Sequence, residues 1–253
     1  MIRSSLERFS RGRIFTRTLR TPRGPRKVSV SPEASLRYWL PTSLNADRAL
    51  IDASSQFLSE GTTVWDIGAN IGVFSWCAAA VVGRTGSVLS VDADPFLTAL
   101  LSQTSGRLLP EDANVSVLTA AVSDTIATAE LIIPVRSRAS NHLSDSTAGT
   151  QTGGKRHSVH VVSVTLDFLL QNTFSPKFVK MDIEGMELRA LRSSPNLLKH
   201  VRPIFHLEVP AESAEEISDL MTSHEYELFD YESDRLLRMP LKTATWCTIA
   251  RPK

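Results

Sequence analysis

From residue 62 onward the chain alternates two apolar patterns, and this alternation limits its fold more than any other feature. Short β-rich runs at 62–67, 87–92, 115–122, 178–183 and 203–209 are separated by stretches with helical spacing. The helical stretches fall at 70–82, from Pro95 onward, and at 165–171, 186–192 and 212–223. Asp94 reads as the N-cap of the helix that Pro95 opens. Repeated strand–helix units build a mostly parallel sheet with helices on both faces. Further strands are predicted at 36–40, 129–135 and 160–164, a helix at 46–58, and a closing antiparallel pair at 226–231 and 244–250.

The 253 residues fit one large α/β domain, predicted over 31–253. Two cysteines, Cys77 and Cys247, make no disulfide framework, so a reducing, cytoplasmic setting is expected. The longest apolar stretch, 73–82, is far shorter than the roughly 18–20 residues of a membrane span. The net charge is +1, but nine of the 28 Lys/Arg fall in residues 1–30, where Glu7 is the one acid. The remainder therefore carries −7. Residues 1–30 read as a basic, flexible arm, able to meet phosphate or anionic lipid or to stay solvated. Residues 136–157 show no periodicity and read as a loop that can fold over a substrate. Asn141 and His142 are its candidate substrate contacts, and Arg136, Arg138, Lys155 and Arg156 could meet an acidic acceptor.

In a sheet of this kind ligands sit beyond the carboxyl ends of the strands. The first such end reads Asp66-Ile67-Gly68-Ala69-Asn70-Ile71-Gly72. Its glycines let backbone approach a ligand, and the helix start offers free amides. The Gly-x-Gly-x-x-Gly pattern of a pyrophosphate site is absent. Asp66 would repel a diphosphate and attract the ammonium and sulfonium groups of S-adenosylmethionine. The second strand ends at Asp92, placed to accept from a ribose diol. Lys180, Asp182 and Glu184 alternate onto one face of the 178–183 run, and His206 and Glu208 onto one face of the next strand. Charges in central parallel strands are costly unless paired or functional.

DIGANIGVFS (66–75), VDADP (91–95), AVSD (121–124), VTLDFLL (164–170), KMDIEGMELRAL (180–191) and HLEV (206–209), in this order, resemble the FkbM family of S-adenosylmethionine-dependent methyltransferases. The resemblance spans residues 36–250. It implies a class I methyltransferase fold, Rossmann-like, with a seven-stranded mostly parallel sheet in the order 3-2-1-4-5-7-6. It implies O-methylation of a hydroxyl on a sugar, polyketide, or related small-molecule or glycan acceptor. It also implies a cofactor set of Asp66, Gly68, Asn70, Gly72, Asp92 and Asp124. Where the family usually carries Glu-Pro after the second strand, this chain has Asp92-Ala93.

The expected chemistry is in-line displacement, with Asp182, Glu184, His206 and Glu208 as candidate catalytic bases and Lys180 as a residue that orients substrate or holds the sheet together. Carboxylates from both strands could instead hold a divalent cation such as Mg2+. Two other readings stay open: a nucleic-acid methyltransferase guided by the basic arm, and a cofactor-binding protein without activity.

Overall fold

The computed structural model describes residues 9, 11–135, 137–146 and 154–253. The chain opens with an antiparallel hairpin, β1 (Phe15–Thr21) and β2 (Gly24–Val30). Two 3-10 turns, Leu36–Trp39 and Ser43–Ala46, lead into α1 (Arg48–Phe57). Then come β3 (Thr63–Ile67), α2 (Val73–Val82), β4 (Ser87–Asp92), α3 (Pro95–Ser105) and β5 (Asn114–Thr119). A run of strands follows: β6 (Ala121–Val122), β7 (Ala127–Pro134), β8 (His142–Leu143) and β9 (Lys155–Val164). The last part holds α4 (Leu166–Asn172), β10 (Phe178–Met181), α5 (Glu187–Arg192), β11 (Ile204–Glu208), α6 (Ala214–Ser223), β12 (Tyr226–Asp230), β13 (Pro240–Leu241) and β14 (Cys247–Pro252).

The main sheet has eight strands in the order β13-β12-β14-β11-β10-β3-β4-β5. The five from β11 to β5 are parallel, and β14 runs antiparallel to both its neighbours. Leaving out the two-residue β13 and counting the rest in chain order, the sheet reads 3-2-1-4-5-7-6 from β5 to β12. The eighth strand is an addition at the edge. A second sheet, β6-β9-β7-β8, was not expected and takes up part of the segment read as a loop. Residues 155–157 of that segment belong to β9, and residues 138–140 form a 3-10 turn. Arg136 and residues 147–153 lie outside the described residues, and so does the centre of the expected lid.

Alternation splits the core. Val64, Val88 and Phe178 face α2 and the hairpin, while Trp65, Leu89, Val179 and Phe205 face the opposite layer. Every residue of α2 is buried. A helix apolar all round needs cover on both sides. The sheet covers one, α1 and β1 cover the other, and β2 packs beside them on α3; Leu19, Val28 and Val30 of the hairpin are all 0% exposed. Each such burial contributes about 1.5–3 kcal/mol.

This corrects the expectation of a flexible arm over residues 1–30, at least for 15–30. Arg26 donates from Nε and Nη2 to Asp112 at 2.7 and 2.6 Å, a buried bidentate pair that locks the hairpin to the main domain. Arg17 donates to the Tyr38 and Trp39 carbonyls. Residues 1–8 and 10 lie outside the described residues. The 36–40 run, expected as a strand, is a 3-10 turn. Among the described residues no helix is long and apolar enough to cross a membrane.

Candidate cofactor cleft and active site

The turn after β3 places Gly68, Asn70 and Gly72 at φ of 75°, 54° and 83°. The amides of Gly68 and Ala69 both donate to the Val91 carbonyl at 2.9 Å, and Asn70 donates to Asp92 Oδ2 at 2.8 Å. The ends of β3 and β4 are thereby tied together. Gly68 is required because a Cβ there would stand 1.7 Å from the Asp182 carbonyl oxygen. Gly72 is required for another reason: its Cβ would meet Trp76 and Leu101 at 2.6–2.7 Å. Gly72 lines neither lobe of the cleft described below, so its expected contact with the cofactor is corrected to a packing role.

Beneath the turn lies a buried polar stripe. Asp66 is 0% exposed and accepts from Ser75 Oγ at 2.5 Å. Lys180, opposite Asp66 on β10, stands 3.5 Å from Asp66 Oδ1 and 3.6 Å from Asp182 Oδ2, and donates to the Gly68 carbonyl at 2.7 Å. Burial works against the ammonium, but Asp66 and Asp182 outweigh it and raise its pKa. Of the two roles read for Lys180, orienting substrate or holding the sheet together, these three internal partners favour the second. Asp66 shares the Lys180 charge, but its Oδ1 accepts no hydrogen bond among the described residues.

The strand β10 ends at Met181, so Asp182 and Glu184 stand on the turn beyond it. Glu184 sits at φ 51°. Glu187, 1% exposed, holds this turn by accepting from the Ile183 and Gly185 amides at 2.8 and 3.1 Å. Sequence reasoning missed Glu187, although a glutamate in the first turn after a glycine bend is a recognisable backbone cap.

Two lobes open at the carboxyl ends of β3, β4 and β10. The larger, about 610 Å3, has an apolar slot walled by Val91, Leu97, Ala120, Leu131, Leu143 and Met186. The smaller, about 530 Å3, is polar, with Arg37, Tyr38, Asp66, Lys180 and Glu208 in its wall. Gly68, Asn70 and Asp182 line both and mark the junction. Three buried acceptors on residues that line these lobes have no hydrogen-bond partner among the described residues: Asp66 Oδ1, Asn70 Oδ1 and Asn141 Oδ1. Asn141 and His142, read from the sequence as substrate contacts, line the larger lobe. Asn141 Nδ2 donates to Asp94 Oδ2, and Asp94 also caps α3, as expected, by accepting from the Phe96 amide.

Asp92 lines the larger lobe and already accepts the Asn70 and Asp94 amides, one on each oxygen. Burial pushes it up to about 7. Arg138 is the one Lys or Arg among the described residues of this lobe, and Glu33 and Asp94 hold it at 2.9 and 2.6 Å. A diphosphate would find no free counter-charge there.

Two expected roles fail on geometry. Asp124 faces away from both lobes, gripped by Arg189 Nε and Nη2 at 3.0 and 2.8 Å. It ties α5 to the chain after β6. His206 is 2% exposed, with Nε2 3.0 Å from Cys247 Sγ and its ring edge-on to Tyr231. Burial, then Lys180 and Arg235, push its pKa down to about 3. It lines neither lobe and is a poor proton acceptor at neutral pH. Alternation put it on the right face, but α1 and the chain after β12 roof that face.

Burial raises Glu184 to about 8, and Glu187 and Glu208 to about 7. Asp182 adds to each of these shifts. These groups hold protons more tightly folded than unfolded, so the stability they give is full below their ordinary carboxyl range and lost as pH rises through 7 to 8. The melting temperature of the free protein should fall between about pH 5 and pH 8 and level off above, and Glu184→Gln should flatten the fall. A melting curve that climbs over this window would contradict the burial. Among the described residues, no three His, Cys, Asp or Glu side chains cluster as a metal ion would need.

The Methyltransferase FkbM domain family matches residues 66–228. The chain belongs to the FkbM methyltransferases. No curated protein matches it in sequence. Solved structures similar to it include methyltransferase FkbM from Methylobacillus flagellatus KT, 14% identical, with TM-score 0.45. That match covers 76% of this chain and 44% of the other, so this chain spans less than half of that relative. Fibrillarin from Aeropyrum pernix, solved with natively bound S-adenosyl-L-methionine, is 10% identical over 95% of this chain and 85% of its own, with TM-score 0.48. Precorrin-6y C5,15-methyltransferase from Geobacter metallireducens GS-15 is 11% identical over 81% and 86%, with TM-score 0.44.

Proposed function

We propose that the two-lobed cleft binds S-adenosylmethionine, adenosine in the larger lobe and aminoacyl end in the smaller, and that the protein methylates a hydroxyl of a sugar, polyketide, or related small-molecule or glycan acceptor. The observation that carries this is the meeting of an apolar slot and an acidic polar lobe at Gly68, Asn70 and Asp182. The slot suits a flat base. Asp92 stands beside it for the ribose. The unpartnered Asn70 and Asn141 oxygens suit a ligand rich in donors.

When bound, the cofactor's sulfonium supplies an electrophilic methyl group. The protein's own part is alignment, which contributes up to roughly 7–11 kcal/mol to such reactions, and removal of the acceptor proton. Asp182, at the junction of the lobes, is the carboxylate placed to take it, and Lys180 holds that carboxylate from behind. Glu184, raised to about 8, carries its proton through much of the neutral range and can donate to a neighbouring acceptor oxygen. Arg37, Lys180 and Arg138, the cations of the described lining, are all engaged by carboxylates, which favours an uncharged acceptor over a phosphorylated one. The nucleic-acid alternative leaned on a free basic arm, and the packing of residues 15–30 removes much of that support. Cys77 and Cys247 are buried and unpaired, which suits a reducing compartment.

The test is incubation with isotopically labelled cofactor and a panel of sugars, polyketides, lipids and RNA, read by mass spectrometry. Label on a hydroxyl oxygen of a sugar or polyketide is expected. Label on RNA would overturn the acceptor class.

A further inference from the structure

Tyr38 lies outside the family match, on the 3-10 turn before α1, and it is 2% exposed. Tyr38 and Arg37 both line the smaller lobe of the cleft. Arg37 Nη2 donates to the Tyr38 hydroxyl at 3.1 Å, and Arg37 is itself fixed by Asp47 at 2.8 and 2.7 Å. A guanidinium only donates, so the Tyr38 oxygen is the acceptor in this bond. The Tyr38 proton remains, and among the described residues no acceptor takes it.

Ile71, Val73 and Phe74 line the same lobe at the start of α2, a ten-residue helix whose N-cap is Gly72. Gly72 offers no side chain to cap the first-turn amides. An uncapped helix start and an unspent buried donor share one lobe. A carboxylate is the chemistry that satisfies both. Asp47, Asp66, Asp182 and Glu208 make the rest of that lobe acidic, and Lys180 is engaged by Asp66, Asp182 and the Gly68 carbonyl. The carboxylate of an amino-acid end therefore has one favourable place there, and its ammonium has the acids opposite.

We propose that the Tyr38 hydroxyl, held by Arg37 and set against the N-terminus of α2, receives the carboxylate of the cofactor's aminoacyl end. This rests on the reading of the cleft as an S-adenosylmethionine site. It makes the segment before the family domain a part of the cofactor site.

The test compares two nucleosides on the full chain by calorimetry: S-adenosylhomocysteine, which keeps the amino-acid end, and 5′-deoxy-5′-methylthioadenosine, which lacks it. Tyr38→Phe removes the hydroxyl and keeps the ring. It should weaken S-adenosylhomocysteine about 10-fold, the scale of one hydrogen bond to a charged group, and leave methylthioadenosine unchanged. Arg37→Lys should act in the same direction, and it serves if a thermal melt shows the Phe variant unfolded. Equal losses for both nucleosides, or no loss for either, overturn the proposal. So does a fall in kcat with S-adenosylhomocysteine affinity intact, which would assign Tyr38 to the acceptor. A parent protein that binds neither nucleoside overturns the cofactor reading itself, and this inference falls with it.

Discussion

Gly68→Ala should abolish cofactor binding and lower the melting temperature. An added Cβ would stand 1.7 Å from the Asp182 oxygen and 2.8 Å from its carbonyl carbon. Both neighbours are backbone, so no side chain can swing aside. The φ of 75° adds roughly 1–2 kcal/mol of strain for any residue with a Cβ. Relief requires the turn after β3 and the turn after β10 to separate. The Asp182 amide now donates to the Ile67 carbonyl at 3.0 Å, and that bond would stretch first. Gly68 and Asp182 are two of the three residues that line both lobes, so the junction itself would deform. Gly106→Ala is the matched control. Gly106 sits at φ −67°, and its nearest neighbours would be 4.0 Å from a Cβ. It should bind S-adenosylhomocysteine as the parent does. Equal affinity in Gly68→Ala would show that the close approach is not what builds the site.

Asp182→Asn should lower kcat by about 10²–10⁴, the range for a positioned base. The amide keeps the shape of the carboxylate but cannot take a proton. Asp182 lines the junction of the lobes, where the proposed pose puts the transferred group. S-adenosylhomocysteine affinity should change far less than kcat, because Asp66 and the glycine turn remain. Glu184→Gln should cost less, since burial raises that carboxyl to about 8 and keeps it protonated through much of the neutral range. Turnover retained in Asp182→Asn and lost in Glu208→Gln would move the base to β11.

The strand–helix alternation was readable because glycine and aspartate punctuate it. The 87–92 run is β4 to the residue, and Asp94-Pro95 opens α3 as its sequence says. The turn at Gly68 and Asn70 and the acids at Asp66, Asp92 and Asp182 were legible for the same reason: they stand at strand ends, where a parallel sheet puts its ligands. The hairpin of residues 15–30 was not. Its sequence is strongly basic, and what orders it is packing on α2 and α3 and the Arg26–Asp112 pair, tertiary facts no local window contains. His206 was misread for a related reason. Period-two alternation gives the face of a strand, but not whether that face is roofed. His206 lies under such a roof, and Lys180 spends its charge on Asp66 and Asp182. Asp124 was carried over from a motif, and Arg189 claims it. Tyr38 was hidden in a run that looked extended but forms a 3-10 turn.

Titration of the full chain with S-adenosylhomocysteine and, separately, with NAD+ bears most directly on the cleft as a methyl-donor site. The account predicts saturable one-to-one binding of the first, competed by S-adenosylmethionine, and no heat from the second. Binding of the dinucleotide in place of S-adenosylhomocysteine would contradict it.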